Sequence, residues 1–187
     1  MIQFRLHFLS FCLLLLLAAC HKTPDVPYIA PEVEKKYIFL GHTYDWGHYE
    51  AGNKVDPRIE QFDFSTYHQI WLGGDICTET TKDPLTMAYL NDLFSIDSPE
   101  THWALGNHDV RQRNVHYITD FTKRPTFYAT YLDGICLVVL NTTLNHPQAK
   151  VPEGEGECDL QDLQYEMLKT ISDTITEASH LVILHHH

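Results

Sequence analysis

Apolar positions along the chain fall into short runs, each of which stops at a polar turn. Residues 36–40 end at Gly41, residues 69–72 at Gly73-Gly74-Asp75, and residues 102–105 at Gly106-Asn107-His108-Asp109. Short apolar runs bounded by glycine read as buried strands. Between the second and third runs, Leu85, Ala88, Tyr89, Leu90 and Leu93 recur at helical spacing, and strands alternating with helices predict parallel βαβ units. The pattern then changes. Residues 126–131 and 135–140 are β-rich and meet across Leu132-Asp133-Gly134, which reads as a hairpin turn. Residues 159–179 return to helical spacing, with Leu160, Leu163, Met167, Leu168, Ile171 and Ile175 expected on one face. A last apolar run, residues 181–184, leads into His185-His186-His187. The sequence therefore predicts an α/β fold: a layered α/β/β/α sandwich of two mixed sheets flanked by helices.

The first residues stand outside this pattern. Arg5 precedes an apolar run, residues 8–17, that closes on Leu17-Ala18-Ala19-Cys20. The run is shorter than the roughly 20 residues of a bilayer-spanning helix and ends in small residues, as a cleaved signal does. This ending resembles the lipobox of bacterial lipoproteins. The resemblance implies that residues 1–19 are removed and that Cys20 is acylated. Residues 20–35, with Pro24, Pro27 and Pro31, then form a tether. It also implies a cell-envelope location, lipid-anchored on the periplasmic or surface face of a bacterial membrane. An ordinary secretory signal with an incidental Cys20 is the alternative.

Composition narrows the rest. Of 187 residues, 44% are hydrophobic and 20% charged, which fits one ordinary globular domain over residues 36–187. A net charge of −12 opposes binding to a phosphate backbone, so no duplex nucleic acid is expected as a partner. Beyond the signal, Cys77, Cys136 and Cys158 allow one disulfide in an oxidising exterior and leave at least one thiol over.

The informative feature is where the polar residues sit. In open α/β sheets, ligand sites gather outside the carboxyl ends of strands. Asp75, Asn107, His108 and the terminal histidines all follow apolar runs, and such oxygen and imidazole donors suit Zn, Fe or Mn. Singly, Gly74-Asp75 is a turn signal, and a terminal histidine run is also the form of an expression tag. In this order and context, however, they resemble the calcineurin-like metallophosphoesterase family. Gly74-Asp75 is similar to its second block and Gly106-Asn107-His108-Asp109 to its third. Residues 134–142 look like the strand that follows, and residues 163–168 like its Gln-containing helix. Residues 181–184 with the histidines look like the strand and fourth block.

The resemblance implies two divalent metal ions (Mn, Zn or Fe) and a phosphoester substrate. Asp75 would bridge the ions, and Asn107 with His186 or His185 would ligate one of them. His108 would act on the phosphate, and Asp109 would hold the His108 ring. Two departures stand against it. The first block, Asp-x-His in the family, is here His42-Thr43-Tyr44, so His42 and Tyr44 are candidate ligands, with Asp45 and His48 as nearby substitutes. The alternative is that Tyr44 merely packs over the site. The fifth block, Gly-His-x-His, has no counterpart by His187, so the domain is expected to be incomplete at its C-terminus. The expected function is metal-dependent hydrolysis of a phosphomonoester or phosphodiester by a membrane-anchored lipoprotein. A non-catalytic lipoprotein using the scaffold as a binding module is the alternative.

The lipobox reading has a direct check. Expression with labelled fatty acid is expected to label the mature chain, and Cys20→Ala is expected to abolish the label. An unlabelled, soluble product from the unaltered chain would refute it.

Overall fold

The apolar runs become strands because sheet pairing satisfies the backbone groups of segments too short for a stable helix while both of their faces are covered. The computed structural model describes residues 35–45, 47, 53–111, 114–143 and 157–187, which gather into one unit. The signal, Cys20, the rest of the tether and His48 lie outside the described residues. Among the described residues, no helix is long and apolar enough to cross a membrane.

Strands β1 (Tyr37–Leu40), β2 (Gln69–Leu72) and β3 (Thr101–Trp103) lie side by side in chain order. All are parallel, with Tyr37 opposite Gln69 and Ile70 opposite Thr101. This first sheet is thus parallel throughout its described strands, where a mixed sheet was expected. Each link between its strands carries a helix, α1 (Pro57–Glu60) and then α2 (Leu85–Phe94), which is the crossover that parallel pairing requires. Met87, Leu90 and Phe94 of α2 bury against Ile70 and Leu72 of β2. Two short helices follow β3: α3 (Asn107–Val110) and α4 (His116–Thr122), whose Ile118 joins the same core.

The second sheet has the order β4-β5-β6. Strands β4 (Tyr128–Leu132) and β5 (Ile135–Val139) form an antiparallel hairpin. Its turn is two residues, Asp133 (φ 51°) and Gly134 (φ 80°), the left-handed pair that lets the strands keep their natural twist. Strand β6 (His180–Leu184) runs parallel to β5, so this sheet is mixed as expected. Helix α5 (Glu157–Thr174) and a 3₁₀ turn (Ile175–Glu177) precede it. Met167, Leu168, Ile171 and Ile175 cover Cys136 and Val138 of β5. Leu163, expected on that face, is 57% exposed; its neighbour Gln164 is buried instead. One residue is 100° of helix rotation, and at this turn the inward position is taken by an amide. Gln164 clamps the end of β5, accepting from the Asn141 N–H at 2.9 Å and donating to the Asn141 carbonyl at 3.2 Å.

The opposite face of β5 and β6 buries Leu137, Val139, Val182 and Leu184 in one cluster with Trp71 and Ala104 from the first sheet. Among the described residues the chain is therefore a mixed α/β protein with two three-stranded sheets and several helices. Cys77 and Cys136 are buried free thiols.

One polar group is trapped in this interior. His102 of β3 is 3% exposed, and its Nδ1 stands 3.0 Å from the Tyr128 hydroxyl. Burial, with help from the Arg124 charge, pushes its pKa down to about 4. The unfolded chain binds a proton near the ordinary value of about 6.5, and the folded chain does not until about 4. Folding stability is thus present above this window and is lost as pH falls through it. The full gap amounts to roughly 3 kcal/mol. Urea unfolding of His102→Leu is expected to fall off less steeply between pH 6.5 and 4 than that of the parent. An identical acid slope in the two proteins would show that His102 is not the group responsible.

Candidate metal centre

The site forms where the carboxyl ends of β1, β2, β3 and β6 meet, with tight turns after β1 and β2 and an irregular segment, residues 185–187, after β6. After β1 the backbone turns left-handed at His42 (φ 52°), and after β2 it does so at Gly74 (φ 89°) and Asp75 (φ 55°). For a residue other than glycine this conformation costs on the order of 1–3 kcal/mol and persists only where its surroundings over-determine it. Here they do. The two turns are laced together: the His42 N–H donates to the Gly74 carbonyl at 3.0 Å, and the Gly73 N–H donates to the Leu40 carbonyl at 2.6 Å. The Thr43 hydroxyl donates to the Ile76 carbonyl at 2.9 Å. A side chain at Gly74 would stand 2.6 Å from both the Gly106 nitrogen and Nδ1 of His186, and one at Gly106 would collide with Asp75. Glycine at these two positions lets the β2, β3 and β6 turns touch.

Asp109 locks the arrangement from below. It is fully buried and accepts five hydrogen bonds. One oxygen takes the N–H groups of Asp75 (2.9 Å), Gly106 (2.8 Å) and the Trp103 indole (3.2 Å). The other takes the Ile76 N–H (3.1 Å) and the Thr80 hydroxyl (2.6 Å). Burial pushes its carboxyl pKa up, and the Thr80, Gly106 and Ile76 donors oppose that shift. The expectation that Asp109 holds the His108 ring is corrected by this geometry: all five of its bonds run to the β2 and β3 turns. The ring is held by a carbonyl, with His108 Nδ1 2.8 Å from the Thr78 oxygen, and by Tyr44, whose ring stacks on it at 5.0 Å and 26°. A backbone carbonyl only accepts, so Nδ1 carries the proton. Nε2 then faces the site, 4.0 Å from Oδ2 of Asp75 and 3.5 Å from the Arg111 guanidinium.

Above this floor, three side chains converge. Oδ2 of Asp75 lies 3.3 Å from Nε2 of His186 and 3.5 Å from Nε2 of His42, and all three donor atoms fall within 4.8 Å of one another. Oδ1 of Asp75 accepts the His108 N–H at 2.9 Å. His186 donates through Nδ1 to the Gly73 carbonyl at 2.8 Å, which fixes the ring and turns Nε2 inward, the usual device for orienting a metal-binding imidazole. Burial raises the Asp75 pKa, but the His186 bond, the His108 amide and the charges of both rings outweigh it, and the net shift is downward. The bond to Asp75 raises the pKa of His186 in turn. A divalent ion would replace that proton, as metal binding to imidazole does generally. The residues fit a cation: a buried carboxylate and two imidazoles share one point.

The other candidate residues are placed as follows. His185 is exposed, its Nδ1 2.9 Å from the His187 carbonyl, and it stands outside the converging group. Asn107 is half-buried at the first position of α3, between Gly106 and His108. Tyr44 is buried against His108. Sequence reasoning did not reach Thr80, Trp103 or the carbonyls of Gly73 and Thr78. Thr80 sits in a polar loop with no periodicity to mark it, and a carbonyl leaves no trace in a sequence. A groove of about 670 Å³ opens beside His42, lined by Leu40, Tyr44, Asp45, Arg58 and Phe62 among others.

No known family model and no curated protein matches the chain.

Proposed function

We propose that this chain is a metal-dependent phosphoesterase of the calcineurin-like kind, anchored to a bacterial membrane through an acylated Cys20. The observation that carries the reading is the convergence of Asp75, His186 and His42 at one point beside His108. That is the combination a phosphoester hydrolase uses: a cation site next to a group able to meet the leaving oxygen. The three core clusters, helices on sheet, sheet on sheet and sheet on α5, support the layered α/β/β/α arrangement that the resemblance implies.

In this reading Asp75, His42 and His186 hold divalent metal, with Asn107 as a further donor from the start of α3. The resemblance carries two such ions of Mn, Zn or Fe. Metal held there would supply Lewis-acid polarisation of the phosphoryl oxygens and activation of water. The residues do the rest. His108, with Nδ1 committed to Thr78, presents Nε2 to the phosphate and the departing oxygen. Arg111, 3.5 Å from that nitrogen, adds positive charge where negative charge accumulates. The groove beside His42 has room for the group esterified to the phosphate.

A second reading has its own observation. His42 and Tyr44 stand where the family places a carboxylate and a histidine, and Tyr44 is occupied in stacking on His108. A scaffold altered in this way suits a lipoprotein that binds an anionic ligand without turning it over.

Metal content and turnover separate the roles. Asp75→Asn and Asn107→Ala are expected to lower bound metal, measured by elemental analysis of the purified chain. His108→Ala is expected to retain metal and lose kcat on a chromogenic phosphoester by about 100-fold or more, the size of a lost general-acid contribution. Loss of metal from His108→Ala, with retention in Asp75→Asn, would reverse the assignment. Metal binding with no turnover in the unaltered chain would favour the binding-module reading.

A further inference from the structure

We infer that the ligands among the described residues gather around a single divalent ion, held by Oδ2 of Asp75 and Nε2 of His42 and His186, with His42 a full ligand and Asn107 a further donor to that same ion. The inference rests on the metal reading of the site and is independent of hydrolysis.

The distances argue for one ion. With metal–ligand bonds of about 2.1 Å, neighbouring ligands around a tetrahedral ion stand about 3.4 Å apart. The two nitrogens approach the same oxygen, Oδ2, at 3.3 and 3.5 Å. A carboxylate that serves two ions about 3.5–4 Å apart needs further donors on both sides of it. Here the second oxygen, Oδ1, is committed to the His108 N–H at 2.9 Å and abuts Gly106, which leaves no room there for a side chain. His108 does not extend the set. Its Nε2 is 4.0 Å from Oδ2, and its ring is fixed by Thr78 and Tyr44.

The same geometry makes His42 a ligand in its own right. Its left-handed backbone, φ 52°, is pinned by the bond to the Gly74 carbonyl, and this strained turn brings the imidazole over Asp75. The Asp75 and His186 side chains are nearly closed to solvent, at 3% and 2%, whereas His42 is 57% exposed. Two ligands are therefore enclosed, and the third stands at the open side of the set, its ring stacked on His186 at 4.8 Å. Two imidazoles and one carboxylate with open coordination positions suit Fe(II), Mn(II), Co(II) or Zn(II) and leave places for water.

Cobalt(II) titration of the purified mature chain tests this directly, by calorimetry with visible absorption and EPR on the same samples. The expected result is one Co(II) per chain with the spectrum of an isolated high-spin ion. His42→Gly removes the imidazole while suiting the left-handed backbone, so it is expected to keep the parent's circular dichroism and thermal melt and to bind Co(II) at least tenfold more weakly. Two ions per chain, a spin-coupled pair, or unchanged affinity in His42→Gly would overturn the inference. One ion without phosphoester turnover upholds it while sinking the proposed hydrolysis; two ions with turnover does the reverse.

Discussion

A buried carboxylate surrounded by donors is the interaction on which the rest of this structure depends. Asp109 has no water to solvate it, and an uncompensated buried charge would be costly. Its compensation comes from the Asp75, Ile76 and Gly106 amides, the Thr80 hydroxyl and the Trp103 indole. Those donors come from the segment after β2 and from the end of β3 and the turn that follows it, so they carry the β2–β3 pairing on beyond the strands. Satisfying the charge therefore fixes the distance between the turns. Because Asp75 is itself one of the donors, its own carboxylate is aimed upward as a consequence.

That constraint explains how the site tolerates its strain. His42 and Asp75 occupy a backbone region that few side chains adopt. Neither would hold it alone. The Asp75 turn is held by Asp109 below, by His108 through Oδ1 and by the close approach of Gly106. The His42 turn is held by Gly74 and, through Thr43, by Ile76. Each turn serves as the template for the next, and His186 arrives from the second sheet to bond Gly73 and close the ring of contacts. A buried floor with one exposed imidazole above it leaves the candidate site open to solvent on the His42 side.

Much of this was legible in the sequence, for a definite reason. The runs that became β2 and β5 are apolar almost without a break because both of their faces are covered, and α2 carries its apolar side chains at helical period. The hairpin was legible because Asp133-Gly134 is a pair that adopts left-handed backbone readily. Leu163 was misread because amphipathic counting treats glutamine as solvent-facing, whereas Gln164 turns inward to satisfy the ends of β5. The short helices α1 and α4 were missed because one or two turns are too short to show a period. At the site, Asp75 and His186 were found by their position after strands. The role of Asp109 was not, because its partners are mostly backbone amides, and whether a carboxylate faces a neighbouring ring or the floor beneath it depends on tertiary approach.

That the Asp109 carboxylate builds the candidate metal site without joining its ligands is tested most directly by Asp109→Asn. The amide matches the carboxylate in shape but turns a donor towards groups that also donate. The variant is expected to remain folded, to lose about 3 kcal/mol of stability in urea, and to bind Co(II) at least tenfold more weakly than the parent. A folded Asp109→Asn chain with the parent's metal affinity would contradict the account.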